Sequence, residues 1–141
     1  MGGTLFTALA AWSGCAAARL YLDRSSRRDE DRLGGRVRLK SMWNEGAAFS
    51  LPLPAEGLPL ASAAALALLW TQRRRCPLGT GLILGGGLSN LSERLTEGRV
   101  YDYLQFPRAP KPLGRYVFNL ADLCVLAGGA LCLCRGGKEA S

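Results

Sequence analysis

The residues of this chain best suited to chemistry are two aspartates, Asp102 and Asp122. Asp122 lies inside the apolar run from Tyr116 to Cys134, YVFNLADLCVLAGGALCLC, one helical turn after Asn119. A charged side chain at bilayer depth costs roughly 2.5–3.5 kcal/mol on insertion scales, so an acid placed there is a functional candidate whose partner must be found. The other acids near apolar boundaries are Asp23, Glu45, Glu56, Glu93, Glu97 and Asp102. Asp102 sits in VYDYLQF, between aromatics of the kind that favour a membrane interface. About a dozen residues join that stretch to the last apolar run, so the connection permits the two aspartates to meet at one membrane face.

Two carboxyls brought together in a low-dielectric site cannot both ionise cheaply. They share one proton and titrate as a unit. The ionised member can take a proton from water while the protonated one donates, which is the aspartic-protease arrangement. It needs neither histidine nor metal. The chain has no histidine, which excludes Ser-His-Asp and Cys-His catalysis and His-ligated zinc. The competing reading of Asp122 is a helix-packing acid paired with an arginine. Amides form the next layer. Asn119 and Asp122 are i,i+3 and share a helix face, Asn90 and Arg94 are i,i+4, and Asn44 lies in the loop WNEGAAF. An amide can donate to a peptide carbonyl or a carboxylate without adding charge. Taken singly, each asparagine reads as a cap or turn residue; gathered at one face with Arg94 and two aspartates, they read as a substrate surface.

The elements that must position these groups are four apolar segments: Thr4 to Leu22, Leu58 to Thr71, Pro77 to Leu91 and Tyr116 to Cys134. About 20 apolar residues span a bilayer, and the first and last segments approach that length. The first is read as a retained helix rather than a secretory signal, since no basic region precedes it. Arg19 near its end is expected to snorkel. The glycines of the third segment predict close helix packing. Val37, Leu39, Ser41 and Trp43 alternate with Arg36, Arg38 and Lys40, which predicts a short amphipathic strand. The chain of 141 residues makes one domain, 1–141, without internal repeats.

The net charge of +7 is assigned to anionic lipid headgroups and topology rather than nucleic acid. Cys15, Cys76, Cys124, Cys132 and Cys134 form no CxxC pair and read as small apolar side chains, not a disulfide framework. Basic residues number twelve on the side of the first and third connections and five on the other. Taken alone, that imbalance places both termini outside.

Four ordered stretches resemble signal peptidase II, the bacterial lipoprotein signal peptidase. They are LDRSSR (Leu22–Arg27), NEGAAFS (Asn44–Ser50), GGGLSNLSERLTEGRVYDYLQF (Gly85–Phe106) and FNLAD (Phe118–Asp122). Glu93 and Arg27 depart from the family pattern, which has Asp and Lys there. The resemblance implies an all-α membrane protein of four transmembrane helices, with a small extracytoplasmic β-cradle and a short mobile helix on the periplasmic side. It implies cytoplasmic termini, which outweighs the charge count. The implied activity is an aspartic endopeptidase of the bacterial cytoplasmic membrane that cuts diacylglyceryl-modified prolipoproteins just before the lipidated cysteine, as a monomer and without cofactor or metal. Asp102 and Asp122 would be catalytic. Asn44, Gly46, Asn90, Arg94 and Asn119 would bind substrate, and Asp23 and Glu93 would give structural support. The rival is a catalytically silent relative that binds lipoproteins or a membrane partner. A proton pathway on Asp122 is disfavoured because the segment is apolar from there to Cys134.

Overall fold

The computed structural model describes residues 2–24, 30–46 and 57–139, with side chains through 136. Helix α1 (Gly2–Arg24) leads into a hairpin of β1 (Glu30–Arg32) and β2 (Val37–Asn44). Helices α2 (Leu58–Trp70) and α3 (Pro77–Glu97) follow, then β3 (Val100–Gln105), β4 (Val117–Phe118) and α4 (Leu120–Glu139). The four strands form one antiparallel sheet in the order β1-β2-β3-β4. The chain is mostly helical with the small sheet expected beside the helices: four antiparallel strands close one end of them.

Helix α3 is the hub. Three consecutive glycines each face a different helix. A Cβ on Gly85 would lie 2.4 Å from the Ala8 carbonyl oxygen of α1, one on Gly86 2.5 Å from the Ala121 carbonyl oxygen of α4, and one on Gly87 2.5 Å from Leu66 of α2. Backbone oxygens stand against Gly85 and Gly86, so only hydrogen fits there and these two glycines set the separations of α3 from α1 and α4; at Gly87 the neighbour is the movable end of the Leu66 side chain. By length and apolar composition, α1 is the one helix among the described residues able to cross a bilayer. Helix α2 has 13 residues, about 20 Å at 1.5 Å per residue. That is short of the hydrocarbon core.

Two element boundaries differ from the sequence reading, and both have local causes. Helix α3 runs past Leu91 to Glu97 and stops at Gly98, whose φ of 69° is left-handed and whose N–H donates to the Arg94 carbonyl at 3.0 Å. Glycine closes a helix there because it carries no Cβ penalty, and the chain then turns directly into β3. The last apolar run is not one helix from Tyr116. Val117 and Phe118 pair with Gln105 and Leu104 as β4, and α4 begins only at Leu120.

The strand expected before Asn44 is observed as β2. It pairs with β3 through a register irregularity between Leu39 and Met42, which sets Met42 opposite Asp102. The aromatics beside Asp102 pack inside the protein: Tyr101 and Tyr103 are buried. Arg19 does not simply reach for the membrane surface. Its guanidinium lies 3.9 Å from Glu93, 3.7 Å from Glu97 and 5.7 Å from the Trp43 ring centre. A three-residue 3-10 turn, Leu113–Arg115, lies between β3 and β4. The expected mobile helix has no counterpart among the described residues; residues 47–56 lie outside them, as do 25–29 with the second half of LDRSSR.

Candidate active site

The site forms where the sheet meets the ends of α3 and α4. Asp102 comes from the middle of β3 and is 3% exposed. Asp122 comes from the first turn of α4. The two are joined by Asn119, also 3% exposed. Its Nδ2 donates to Asp102 Oδ1 at 3.0 Å and to Asn90 Oδ1 at 3.0 Å, while its backbone N–H donates to Asp122 Oδ2 at 3.1 Å. In return, the Asp122 backbone N–H donates to Asn119 Oδ1 at 2.8 Å.

That last pair is a capping box. Asn119 is the N-cap of α4 and Asp122 its third residue, and each side chain satisfies the other's backbone N–H. FNLAD is therefore a helix-start device that also fixes the Asp122 carboxyl. Tyr103 completes the helix start: its hydroxyl oxygen accepts the Leu120 N–H at 3.0 Å. Burial pushes the Tyr103 phenol up to about 12, so it stays neutral.

The remaining carboxyl oxygens also meet amides. Asn44 Nδ2 donates to Asp102 Oδ2 at 3.1 Å, and Asn90 Nδ2 to Asp122 Oδ1 at 3.0 Å. All four aspartate oxygens thus receive a bond from a neutral donor. The amides fix both carboxyls without neutralising them, which an arginine salt bridge would do. Arg94 does not bond either carboxyl. It donates to the Gly46 carbonyl at 3.1 Å, and Gly46 N–H donates to Asn44 Oδ1 at 2.9 Å. Arg94 thus tethers the turn that orients Asn44. Its charge still acts on both aspartates.

Burial first and the charge of Asp122 second raise the Asp102 carboxyl to about 7, against the lowering effect of the bonds from Asn44 and Asn119. A buried acid that keeps its proton near neutral pH can donate it.

Glu93, expected as structural support, accepts the Tyr101 N–H at 2.8 Å and lies 3.9 Å from Arg19. The Arg19 guanidinium and that of Arg99 both lie over Trp43, at 5.7 and 4.5 Å from the ring centre. Glu93 thus links α3 to the start of β3. Asp23 is exposed near the end of α1 and is not brought into the network. Tyr103 was missed by sequence reasoning. Its neighbour Asp102 drew attention to the stretch, but nothing in the spacing marks a tyrosine that caps a helix 17 residues later.

The family model for signal peptidase (SPase) II matches residues 15–136. The chain belongs to this family. Related proteins include the lipoprotein signal peptidases of Nitrobacter hamburgensis, 38% identical over 98 residues, and Chlorobaculum parvum, 42% identical over 102 residues. These alignments cover 61% and 62% of this chain. The chain spans about three fifths of the length of these two relatives, 60% and 64%. The lipoprotein signal peptidase of Syntrophomonas wolfei is 36% identical over 120 residues, 80% of this chain and 74% of that protein. Among solved structures, a bacterial membrane enzyme determined by the in meso method at 2.3 Å resolution covers all of this chain, and 91% of it is covered in turn, with a TM-score of 0.87 at 16% identity. A second, at 1.9 Å resolution, covers 94% of this chain and is itself 91% covered, with a TM-score of 0.79 at 16% identity. At such identity the likeness establishes the fold alone, helices with a small sheet at one end. The network described above falls wholly inside the matched residues.

Proposed function

We propose that this chain is a multi-pass aspartic endopeptidase of the bacterial cytoplasmic membrane. It removes the signal peptide of diacylglyceryl-modified prolipoproteins by cutting just before the lipidated cysteine. Four helices cross the membrane, α1 by its own length and composition and the 13-residue α2 where the bilayer is locally thinned; the sheet lies at the extracytoplasmic face, both termini are cytoplasmic, and the protein acts as a monomer. The observation that carries this reading is the single residue Asn119 bonded to both Asp102 and Asp122.

The mechanism follows from the protonation states. Asp102 holds the proton near neutral pH. Ionised Asp122 takes a proton from water as that water attacks the scissile carbonyl, and Asp102 protonates the carbonyl oxygen. In the second step the C–N bond breaks as the proton held by Asp122 passes to the leaving amine and a hydroxyl of the diol returns its proton to Asp102, which restores the dyad. The acyl chains of the substrate stay in lipid and fix the position of the peptide, so binding energy far from the reacting atoms orients the cleaved bond. Asn44, Asn90 and Asn119 hold the two carboxyls, and Arg94 with Gly46 shapes the edge where the peptide backbone enters. Glu93 supports the scaffold through Tyr101 and Arg19.

The test is cleavage of a lipidated precursor peptide by the purified protein, with the unlipidated peptide as control. The reading expects cleavage of the lipidated form alone, at the bond that immediately precedes the modified cysteine. Binding of that peptide without any cleavage would identify a silent relative instead.

A further inference from the structure

The end of the bundle opposite the sheet carries a cavity that the peptidase chemistry does not use. It has a volume of about 200 Å³ and lies between the close of α2, the start of α3 and the last turns of α4. Its polar lining is Gln72, Arg75, Cys76, Thr80, Cys132 and Arg135, with no carboxylate among the lining residues. Arg75 and Arg135 are both exposed at its mouth, and neither forms an ion pair among the described residues. Arg73 in the same turn is engaged elsewhere: it donates to the Trp70 carbonyl at 2.8 Å and stacks 4.5 Å from the Trp70 ring centre.

Two further features point to an anion. Helix α3 starts beside this cavity with Cys76 at its N-cap, and Cys76 makes no side-chain cap bond. The positive end of the helix dipole is therefore uncompensated by a side chain there. The Thr80 hydroxyl, on a residue 1% exposed, lines the cavity without a hydrogen-bond partner. Its neighbour there is the thiol of Cys132, at best a weak partner. A buried hydroxyl left this way is rare and calls for an acceptor or donor that completes it.

Leu69 lines this cavity and also a second one of about 210 Å³ between α2, α3 and α4, which runs along Leu66, Ile83 and Val125 to Asn90 and Arg94 of the candidate active site. An acyl chain beside a phosphate at the arginines would lie against Leu69, at the near end of that second cavity. We propose that this cavity is a binding site for the phosphate of an anionic phospholipid, held between Arg75 and Arg135 at the cytoplasmic membrane surface.

The experiment is native mass spectrometry of the full chain released from nanodiscs of mixed phosphatidylglycerol and phosphatidylcholine. It reads lipid retention and does not depend on peptidase activity. The expected result is preferential retention of phosphatidylglycerol. A basic residue near an anionic surface is worth roughly 5-fold in affinity, so R75Q with R135Q should weaken that preference about 30-fold. Thr80→Val, nearly isosteric, should weaken it as well. Arg74→Gln, an exposed change in the same turn, should have a smaller effect than Arg75→Gln. Equal effects of Arg74→Gln and Arg75→Gln would show diffuse surface charge and overturn the site. Loss of the retained lipid on adding inorganic phosphate would overturn the lipid assignment, and absence of any preference would overturn the proposal outright.

Discussion

Asn119 performs two separable tasks, and a pair of substitutions can divide them. Its Oδ1 caps α4 by accepting the Asp122 N–H, and its Nδ2 bridges Asp102 and Asn90. Alanine removes both. Serine keeps an oxygen able to cap the helix and removes the amide bridge. Loss of an N-cap costs about 1 kcal/mol. Loss of a hydrogen bond to a charged or charge-sharing group costs about 1.5–3 kcal/mol. Asn119→Ala should therefore destabilise by about 2.5–4 kcal/mol, and Asn119→Ser by about 1 kcal/mol less. Both should slow single-turnover cleavage by roughly 10- to 100-fold, since the Asp102 carboxyl is no longer held. The bond from Asn119 lowers the affinity of Asp102 for its proton, so its loss moves the alkaline limb of the rate profile to higher pH. Reversible unfolding in mixed micelles gives the first quantity, and a pH series of single-turnover rates gives the others. Equal stability of the two variants would refute the capping role. A serine variant with the wild-type rate and an unmoved limb would refute the bridge.

Asp102 with its carboxyl raised to about 7 predicts a cleavage rate that falls as pH rises through that value. The folded chain binds this proton more tightly than the unfolded one, whose value is 3.8. Stability should therefore rise as pH falls through 7, with the gain complete below about 4, which denaturation at graded pH will read. Gly86→Val would put a Cβ 2.5 Å from the Ala121 carbonyl oxygen, just beside the site. It should cost about 1–3 kcal/mol and lower activity with it, as thermal unfolding and cleavage assays would show. Tyr103→Phe removes the acceptor for the Leu120 N–H. It should destabilise by about 1–3 kcal/mol without moving the pH limb.

The chemistry-bearing residues were legible because their cost is local. An acid in an apolar run, or an amide one turn before it, stands out against its neighbours. Asp102 and Asp122 were paired from connection length alone, and Asn119 was singled out by its spacing to Asp122. The double use of that spacing, as capping box and carboxyl bridge, needed coordinates. The close approach of α3 to three helices was readable in kind from GGG but not in direction. Other features depend on distant partners. The burial of Tyr101 and Tyr103 arises because β3 is covered by β2, β4 and the helix ends, although their aromatic character alone favours an interface. Val117 and Phe118 look like the start of a membrane helix, yet the edge of β3 recruits them as a strand. The cysteines were read one by one as packing residues, and all five are free thiols. Four of them face each other across helices, Cys15 with Cys124 and Cys76 with Cys132, a pairing no spacing along the chain reveals.

The shared-proton account is tested most directly by single-turnover cleavage of a lipidated precursor by the wild-type chain, D102N, D122N and the double variant. If the two carboxyls act as one unit, each single change should cost on the order of 10³-fold or more, and the double change should be no worse than either. A single variant that still cleaves at the wild-type rate, or losses that multiply in the double variant, would contradict it.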